Sequence, residues 1–169
     1  EEGLDVLAKR SADFLQRIAG QGKPFFLYLP LTGPHKPVTP HKRFVGKTGL
    51  GPYGDFVMNV DDAVGQVLKA LDETKLADNT LVLFTSDNGP HFQKKGHDLE
   101  FFNSNGDFRG GKRDLYEGGI RVPLIAYWKN NIKPQSISDH ISGFQDIMPT
   151  FAQIIGFNTL VQTDGISFL

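Results

Sequence analysis

The apolar residues of the chain recur with a helical period in two segments. Over residues 3–19 and 54–74 they return every three or four positions, which is the spacing of one face of a helix. Each segment therefore predicts an amphipathic helix. A third helix is predicted near residues 146–155, with Asp146 as its N-cap and Pro149 in its first turn. The two long apolar stripes consist of Leu4, Leu7, Phe14, Leu15 and Ile18, and of Val57, Val60, Val64, Val67, Leu68 and Leu71.

Three short runs without polar interruption predict strands that are buried on both faces. They cover residues 25–31, 80–85 and 122–128. The order helix, strand, helix, strand, strand, helix is typical of an α/β fold, with a largely parallel, mixed sheet flanked by helices. Ligands of such sheets bind beyond the carboxyl ends of the strands. The polar loops at residues 30–53 and 86–119 are therefore the places to look for a site.

Composition narrows the class of protein. With 169 residues, 39% of them hydrophobic and 22% charged, the chain is long enough and apolar enough to form a core. Its net charge of −1 gives no general attraction to nucleic acid or to an anionic membrane surface. The absence of cysteine excludes disulfides, thiolate nucleophiles and cysteine zinc sites from these residues. No apolar run approaches the roughly 20 residues that a membrane helix needs.

The sequence SDNG, residues 86–89, follows the second predicted strand. Asn-Gly is a strong turn signal, so one interpretation is structural. The other is a metal site, because Asp87 and Asn88 offer a carboxylate and an amide carbonyl, the oxygen ligands that calcium and magnesium prefer.

A histidine follows the first predicted strand in the sequence TGPHKP, residues 32–37. His35 lies there between two prolines and could donate a proton near neutral pH. A surface histidine without a role is the alternative. Lys36 and His41 are expected to be solvated.

A glycine-rich stretch, FRGGKRDLYEGGIRVP, begins at residue 108. Residues 106–112 have the spacing GxxxxGK, but the next residue is Arg113 and no buried strand precedes it, so a phosphate loop is not predicted. We expect these glycines to allow a close approach of the backbone to another element or a ligand. Lys112, Arg113 and Arg121 are candidate anion binders, and ion pairs with Asp114 or Glu117 are the alternative.

Taken in order, the motifs resemble a known family. PFFLYLPLTGPHKP, DNTLVLFTSDNGPH, GGKRDLYEGGIRVPLIAYW, FQDIMPTFAQIIG and DGISFL are similar to the second half of the catalytic domain of a type I sulfatase, of the alkaline phosphatase superfamily. The resemblance implies that residues 1–169 are the C-terminal part of that domain, with an alkaline-phosphatase-like α/β fold that is incomplete.

The resemblance also implies a chemistry and a set of site residues. Sulfatases of this type cleave sulfate esters with a formylglycine and a calcium ion, and magnesium is the alternative ion here. Asp87 and Asn88 would be metal ligands, and His35 and Lys112 would contact the sulfate and the leaving-group oxygen. His97 would lie in the loop at the substrate entrance, where an ordinary loop histidine is equally consistent with the sequence.

One departure from the family pattern is decisive for activity. The nucleophile motif CxPxR or SxPxR does not occur, and the nearest string, VTPHKR, has Val38 and Lys42 at the two key positions. The formylglycine would thus come from an N-terminal half, and we expect the chain alone to be inactive. We also expect exposed sheet edges and apolar surface that favour self-association.

Several alternatives remain open from the sequence. The parent protein could be a phosphodiesterase or phosphonate hydrolase of the same superfamily, or a truncated ion-binding protein without catalysis. The expected partner is a sulfated small molecule or a sulfated glycan, with no nucleic acid and no membrane span. The resemblance implies a periplasmic, extracellular or lysosomal location for the parent family.

Overall fold

The computed structural model describes residues 3–91, 99–157 and 162–169. The chain forms two compact units, Glu1–Ile132 and Lys133–Leu169. The first unit contains α1 (Gly3–Ile18), α2 (Gly51–Glu73), a 3-10 turn (Ala77–Asn79), β1 (Val82–Thr85), α3 (Leu99–Phe102), α4 (Glu117–Ile120) and β2 (Leu124–Tyr127). The second contains a 3-10 turn (Phe144–Asp146) and α5 (Ile147–Ile154).

The packing of α1 against α2 supplies the core of the first unit. Both helices were expected from their apolar period, and both are confirmed within three residues of the predicted bounds. Val57 does not belong to the buried stripe, because its side chain is 42% exposed. The apolar contacts fall into two clusters, Leu4, Ala8, Phe56, Val60 and Ala63, and Leu15, Ala70, Leu71 and Ala77.

The sheet differs from the prediction in both direction and burial. Strands are confirmed at β1 and β2, but they pair antiparallel, with Val82 opposite Tyr127 and Thr85 opposite Leu124. No parallel pair occurs within the described part of the chain. All four residues of β2 are exposed, so the expected burial on both faces is wrong. The physical reason is that burial of both faces needs a covering layer on each side, and β2 has none among the described residues.

Residues 25–31, the first of the three predicted strands along the chain, form no strand. Their side chains nevertheless alternate in burial. Phe25 and Leu31 pack against the helix core, whereas Phe26 and Tyr28 are 72% and 76% exposed. An apolar run cannot by itself distinguish a strand that is covered on both faces from one that is covered on one.

In the second unit, Asp146 ends the 3-10 turn instead of capping α5 with its side chain. Its carboxylate accepts hydrogen bonds from the backbone amides of Gly143 at 2.8 Å and Ile166 at 2.9 Å. These two bonds hold the pKa of Asp146 below its usual range, although burial opposes them. Asp146 thus occupies the predicted N-cap position of α5, but its side chain makes no capping hydrogen bond there, and Pro149 lies in the first turn of α5 as expected. Among the helices described, none is both long and apolar enough to cross a membrane.

Candidate functional site

Two loops meet beyond the carboxyl end of β1. The first, the SDNG segment, comprises residues 86–91, and the second, the glycine-rich loop, comprises residues 109–119. The backbone amide of Lys112 donates a hydrogen bond to the carbonyl oxygen of Pro90 at 2.8 Å, and the amide of Gly89 donates one to the carbonyl oxygen of Gly119 at 2.9 Å. Main-chain bonds thus fix the position of Lys112 relative to the SDNG segment.

The glycines of both loops are required for this close approach. A Cβ atom on Gly89 would overlap the carbonyl oxygen of Gly118, and one on Gly118 would overlap that of Gly110. A Cβ on Gly119 would overlap the carbonyl oxygen of Asp114. The prediction that the glycines allow close backbone contact is confirmed.

Asp87 and Asn88 lie in a bend of the SDNG segment. Asp87 is exposed, and its carboxylate has no hydrogen bond or ion pair with any described residue. The side-chain amide of Asn88 donates to the carbonyl oxygen of Gly89 at 2.8 Å. Because Nδ2 is used in that bond, the side-chain oxygen of Asn88 is the atom left to bind a cation.

These donors fit only part of a calcium or magnesium shell. Calcium takes about 6–8 oxygen ligands, and Asp87 and Asn88 contribute one carboxylate and one amide oxygen. Within the described ranges, no group of three or more His, Cys, Asp or Glu side chains could hold a metal ion. The donor chemistry suits a hard cation, and further ligands are needed to complete its shell.

His35 is exposed, and its ring orientation is set by the backbone. Its Nδ1 atom lies 2.6 Å from the carbonyl oxygen of Lys36. Since a carbonyl oxygen only accepts, Nδ1 carries a hydrogen, and Nε2 is the atom available to a ligand. In the protonated ring, Nε2 can therefore donate a proton to a bound oxygen.

His91 is the residue at which the candidate site comes together. It is half-buried, and its Nδ1 atom is buried without a hydrogen-bond partner in the described part of the chain. Desolvation lowers the pKa of His91, and the positive charges of Lys36, Arg113, Lys112 and His35 lower it further. The positive charges of His35 and Lys112, two site residues predicted from separate motifs, thus both lower the pKa of the same imidazole.

His91 was not among the predicted site residues, although it ends the motif SDNGPH. Its position three residues after Asn88, at the carboxyl edge of a strand, is the signal that could have identified it.

The three basic candidates of the glycine-rich stretch fall into two groups. Arg121 lies 3.4 Å from a carboxylate oxygen of Glu117 and stacks on the ring of Phe108. For this arginine the ion pair, and not anion binding, is the interpretation that agrees with the structure. Lys112 and Arg113 form no ion pair with any described residue. The carboxylate of Asp114 instead accepts a hydrogen bond from the amide of Gly111 at 2.9 Å.

The other two histidines with predicted positions are His97 and His41. His97 lies outside the described residues. His41 was expected to be solvated, and this is wrong: its side chain is only 18% exposed, and its Nε2 atom is 3.7 Å from Asp5. The backbone amide of His41 also donates to Asn59 at 3.0 Å. Lys36 is exposed, as expected.

Comparison with known proteins gives a consistent result. The Sulfatase family model matches residues 4–157. An N-acetylgalactosamine-6-O-sulfatase of Bacteroides thetaiotaomicron is 38% identical over 139 residues, covering 79% of this chain and 27% of the relative. A steryl-sulfatase of Rattus norvegicus is 41% identical over 151 residues, covering 89% of this chain and 26% of the relative. The chain thus spans about a quarter of the length of these relatives.

Solved structures agree with the sequence matches. The PsFucS1 sulfatase from Pseudoalteromonas sp. superposes with a TM-score of 0.84 at 31% identity, over 96% of this chain and 32% of that one. Ps i-CgsB in complex with k-i-k-neocarrahexaose gives a TM-score of 0.82 at 28% identity, over 92% of this chain and 34% of that one. The sulfatase neighbours have the alkaline-phosphatase-like α/β fold, which confirms the predicted class. On the family match and these relatives together, the chain belongs to the sulfatase family.

Proposed function

We propose that these residues form part of the catalytic domain of a calcium-dependent sulfuric ester hydrolase. In this proposal Asp87 and Asn88 bind the cation, and His35 and Lys112 bind the sulfate and the leaving-group oxygen. The observation that carries the proposal is the main-chain hydrogen bond from Lys112 to Pro90 at 2.8 Å, which joins the loop of Lys112 to the segment that contains Asp87 and Asn88. The positive charges of His35 and Lys112, which both lower the pKa of His91, support it. The names of the relatives support sulfate ester cleavage as the reaction.

Each proposed residue has a distinct task. Lys112 supplies a fixed positive charge next to the sulfate oxygens, and its backbone bond to Pro90 limits how far that charge can move. His35, with Nδ1 bonded to the backbone, offers Nε2–H to the leaving oxygen when its ring is protonated. Asp87 and Asn88 hold the cation. When bound, that cation neutralises sulfate charge, and a formylglycine, which these residues do not encode, provides the nucleophile.

We propose a sulfated sugar as the substrate class. The support comes from the relative named N-acetylgalactosamine-6-O-sulfatase and from the neighbour whose complex contains neocarrahexaose. A sulfated small molecule is the alternative, because the steryl-sulfatase match is of similar strength.

The test is turnover of an aryl sulfate by the product of the complete open reading frame that contains these residues. Lys112→Ala should lower kcat/KM by about a hundredfold, because a positive charge that acts on the developing anion is lost. Lys23→Ala, which changes an exposed lysine near the end of α1, should leave kcat/KM within about twofold. Full activity in Lys112→Ala would overturn the assignment, and faster cleavage of a phosphate diester would identify phosphoryl chemistry.

The metal and the isolated chain give two further readouts. Chelation should abolish turnover, and restoration by calcium but not magnesium would identify the ion. Asp87→Asn should weaken calcium binding in calorimetry, because the only proposed carboxylate ligand loses its charge. The 169-residue chain alone should show no turnover above its own Lys112→Ala variant. Turnover above that level would show that the nucleophile is present in these residues.

A further inference from the structure

The imidazole of His91 contains an atom whose bonding is incomplete. Nδ1 is buried and has no hydrogen-bond partner among the described residues. Buried polar atoms in folded proteins nearly always have a partner, so an unpaired one points to a ligand or a water molecule. Pro90 accepts the main-chain hydrogen bond from Lys112 that joins the two loops. His91 is the next residue in the chain.

Arg113, next to Lys112, has an unusual backbone. Its φ is 83°, in a region that residues with a Cβ atom rarely adopt. Hydrogen bonds on both sides hold it there. The amide of Lys112 donates to Pro90, and the amide of Asp114 donates to Gly111 at 2.8 Å. Strained residues of this kind concentrate at binding sites, where the surrounding structure maintains them.

The positive charge at this place exceeds what one sulfate requires. A sulfate monoester carries a single negative charge, and the proposed function already pairs it with His35 and Lys112. The charges of Lys36 and Arg113 act on the same imidazole. Arg113 has no ion pair with any residue in the described ranges. An additional anionic group on the substrate would balance it.

We propose that His91 and Arg113 form a second anion-binding subsite beside the proposed sulfate site, and that it binds another acidic group of the same sugar substrate. This inference rests on the proposed function for the identity of the first site. The guanidinium group of Arg113 binds a carboxylate or a sulfate through two parallel hydrogen bonds. His91 contributes its Nδ1 atom, which has no hydrogen-bond partner among the described residues, to the same group. Lys36 adds positive charge without being required for contact.

Binding measurements test this subsite apart from catalysis. Calorimetry on the complete open reading frame product, with the metal removed by chelation so that the ligands are not cleaved, compares N-acetylgalactosamine 6-sulfate with the 4,6-disulfate, and with the 6-sulfate linked to a glucuronate. We expect at least one of the doubly anionic ligands to bind about tenfold more tightly than the monosulfate, through charge-assisted hydrogen bonds. The ligand that gains affinity tells whether the second group is a sulfate or a carboxylate.

Variants then assign that advantage to residues. Arg113→Gln and His91→Ala should each reduce it to about twofold or less. Arg121→Gln is the matched control, because that arginine is already paired with Glu117, and it should retain the full advantage. Circular dichroism of each variant verifies folding, and Arg113→Lys, which keeps the charge but loses the two-pronged contact, should retain part of the advantage.

The outcomes separate the inference from the proposed function. Equal affinities for all three ligands in the unaltered protein, or an advantage that survives Arg113→Gln, would overturn the second subsite. Hydrolysis of the monosulfate with no such advantage leaves the proposed function intact and refutes the inference. An advantage that depends on Arg113 in a protein without sulfatase turnover supports the subsite and refutes the proposed function.

Discussion

The backbone amide of Lys112 donates a hydrogen bond to the carbonyl oxygen of Pro90 at 2.8 Å, joining the glycine-rich loop to the end of the SDNG segment. The bond belongs to the main chain, so it forms only if the two segments come close enough. That distance depends on Gly89, which has room for a hydrogen but not for a methyl group opposite Gly118. A residue without a side chain thus controls where the backbone of Lys112 lies.

Gly89→Ala should therefore separate the two loops. The added methyl group would overlap the carbonyl oxygen of Gly118, a backbone atom that cannot rotate away. We expect the free energy of unfolding to fall by about 1–3 kcal/mol, as for overpacked sites in general. Urea titration followed by circular dichroism measures the change. In the complete protein, kcat/KM should fall with it, since Lys112 is displaced.

Gly65→Ala provides the matched control. Gly65 lies inside α2, it is exposed, and a Cβ there would meet no atom within 4 Å. Alanine is better than glycine in a helix interior, so stability should rise by about 0.5–1 kcal/mol. Opposite shifts for the two variants support the close-approach argument. A fall of equal size in both would contradict it, because a Cβ on Gly65 has no atom to overlap.

Local periodicity was sufficient to predict the two long helices, but not the short helices α3 and α4. The apolar spacing in α1 and α2 reports directly which face packs, and both helices form within three residues of their predicted bounds. The glycine contacts were also predictable, because dense glycine in a polar loop usually means that the backbone approaches something closely. The helix faces depend on residues that are near one another in the sequence, whereas the prediction for the glycines did not say which element they approach.

The remaining features depend on residues far apart. Strand direction and the exposure of β2 follow from which layers cover the sheet, and a run of apolar letters carries no such information. His41 was misjudged because its partner, Asp5, lies 36 positions earlier in α1. The position of His91 after a strand was a local signal, but the charges that act on it come from two other loops and could not be predicted from its neighbours in the sequence.

Asp55 should make the stability of the first unit depend on acid pH. It is 2% exposed, and hydrogen bonds from the amide and hydroxyl of Thr48, and from the amide of Gly46, hold its pKa below the usual range. A folded-state pKa below the unfolded value of about 3.9 stabilises the protein above about pH 4, and this contribution is lost as the pH falls through the folded-state pKa.

Asp55→Asn tests that dependence. At neutral pH the variant should have the lower urea midpoint, because its amide group brings hydrogens toward the donors of Thr48 and Gly46. The difference between the two proteins should shrink between about pH 5 and about pH 2, where the aspartate becomes protonated. A difference that stays constant over this range would show that Asp55 has the same pKa in the folded and unfolded states.

The exposed face of β2 should drive self-association of the isolated chain. Ile125 and Tyr127 are 58% and 43% exposed, and Ile125 lies opposite Phe84, itself 40% exposed. Contiguous apolar surface of this kind promotes contact between copies. Ile125→Lys should reduce the mass seen by light scattering, whereas Val6→Lys, at an exposed valine of α1, should not. A monodisperse monomer of the unaltered chain would contradict this expectation.

Arg113→Gly should make the chain more stable while weakening its binding of doubly anionic ligands. An arginine at φ 83° is strained by roughly 1–2 kcal/mol relative to glycine, and the greater freedom of glycine in the unfolded chain offsets part of that. The net gain should be up to about 1 kcal/mol by urea titration. Arg121→Gly is the comparison: Arg121 has a φ of −84° and loses its contacts with Glu117 and Phe108, so stability should fall. If both variants were destabilised alike, interactions that stabilise the fold would account for the backbone conformation of Arg113. Opposite shifts, with lost affinity in Arg113→Gly, would mean that the strain is retained for binding.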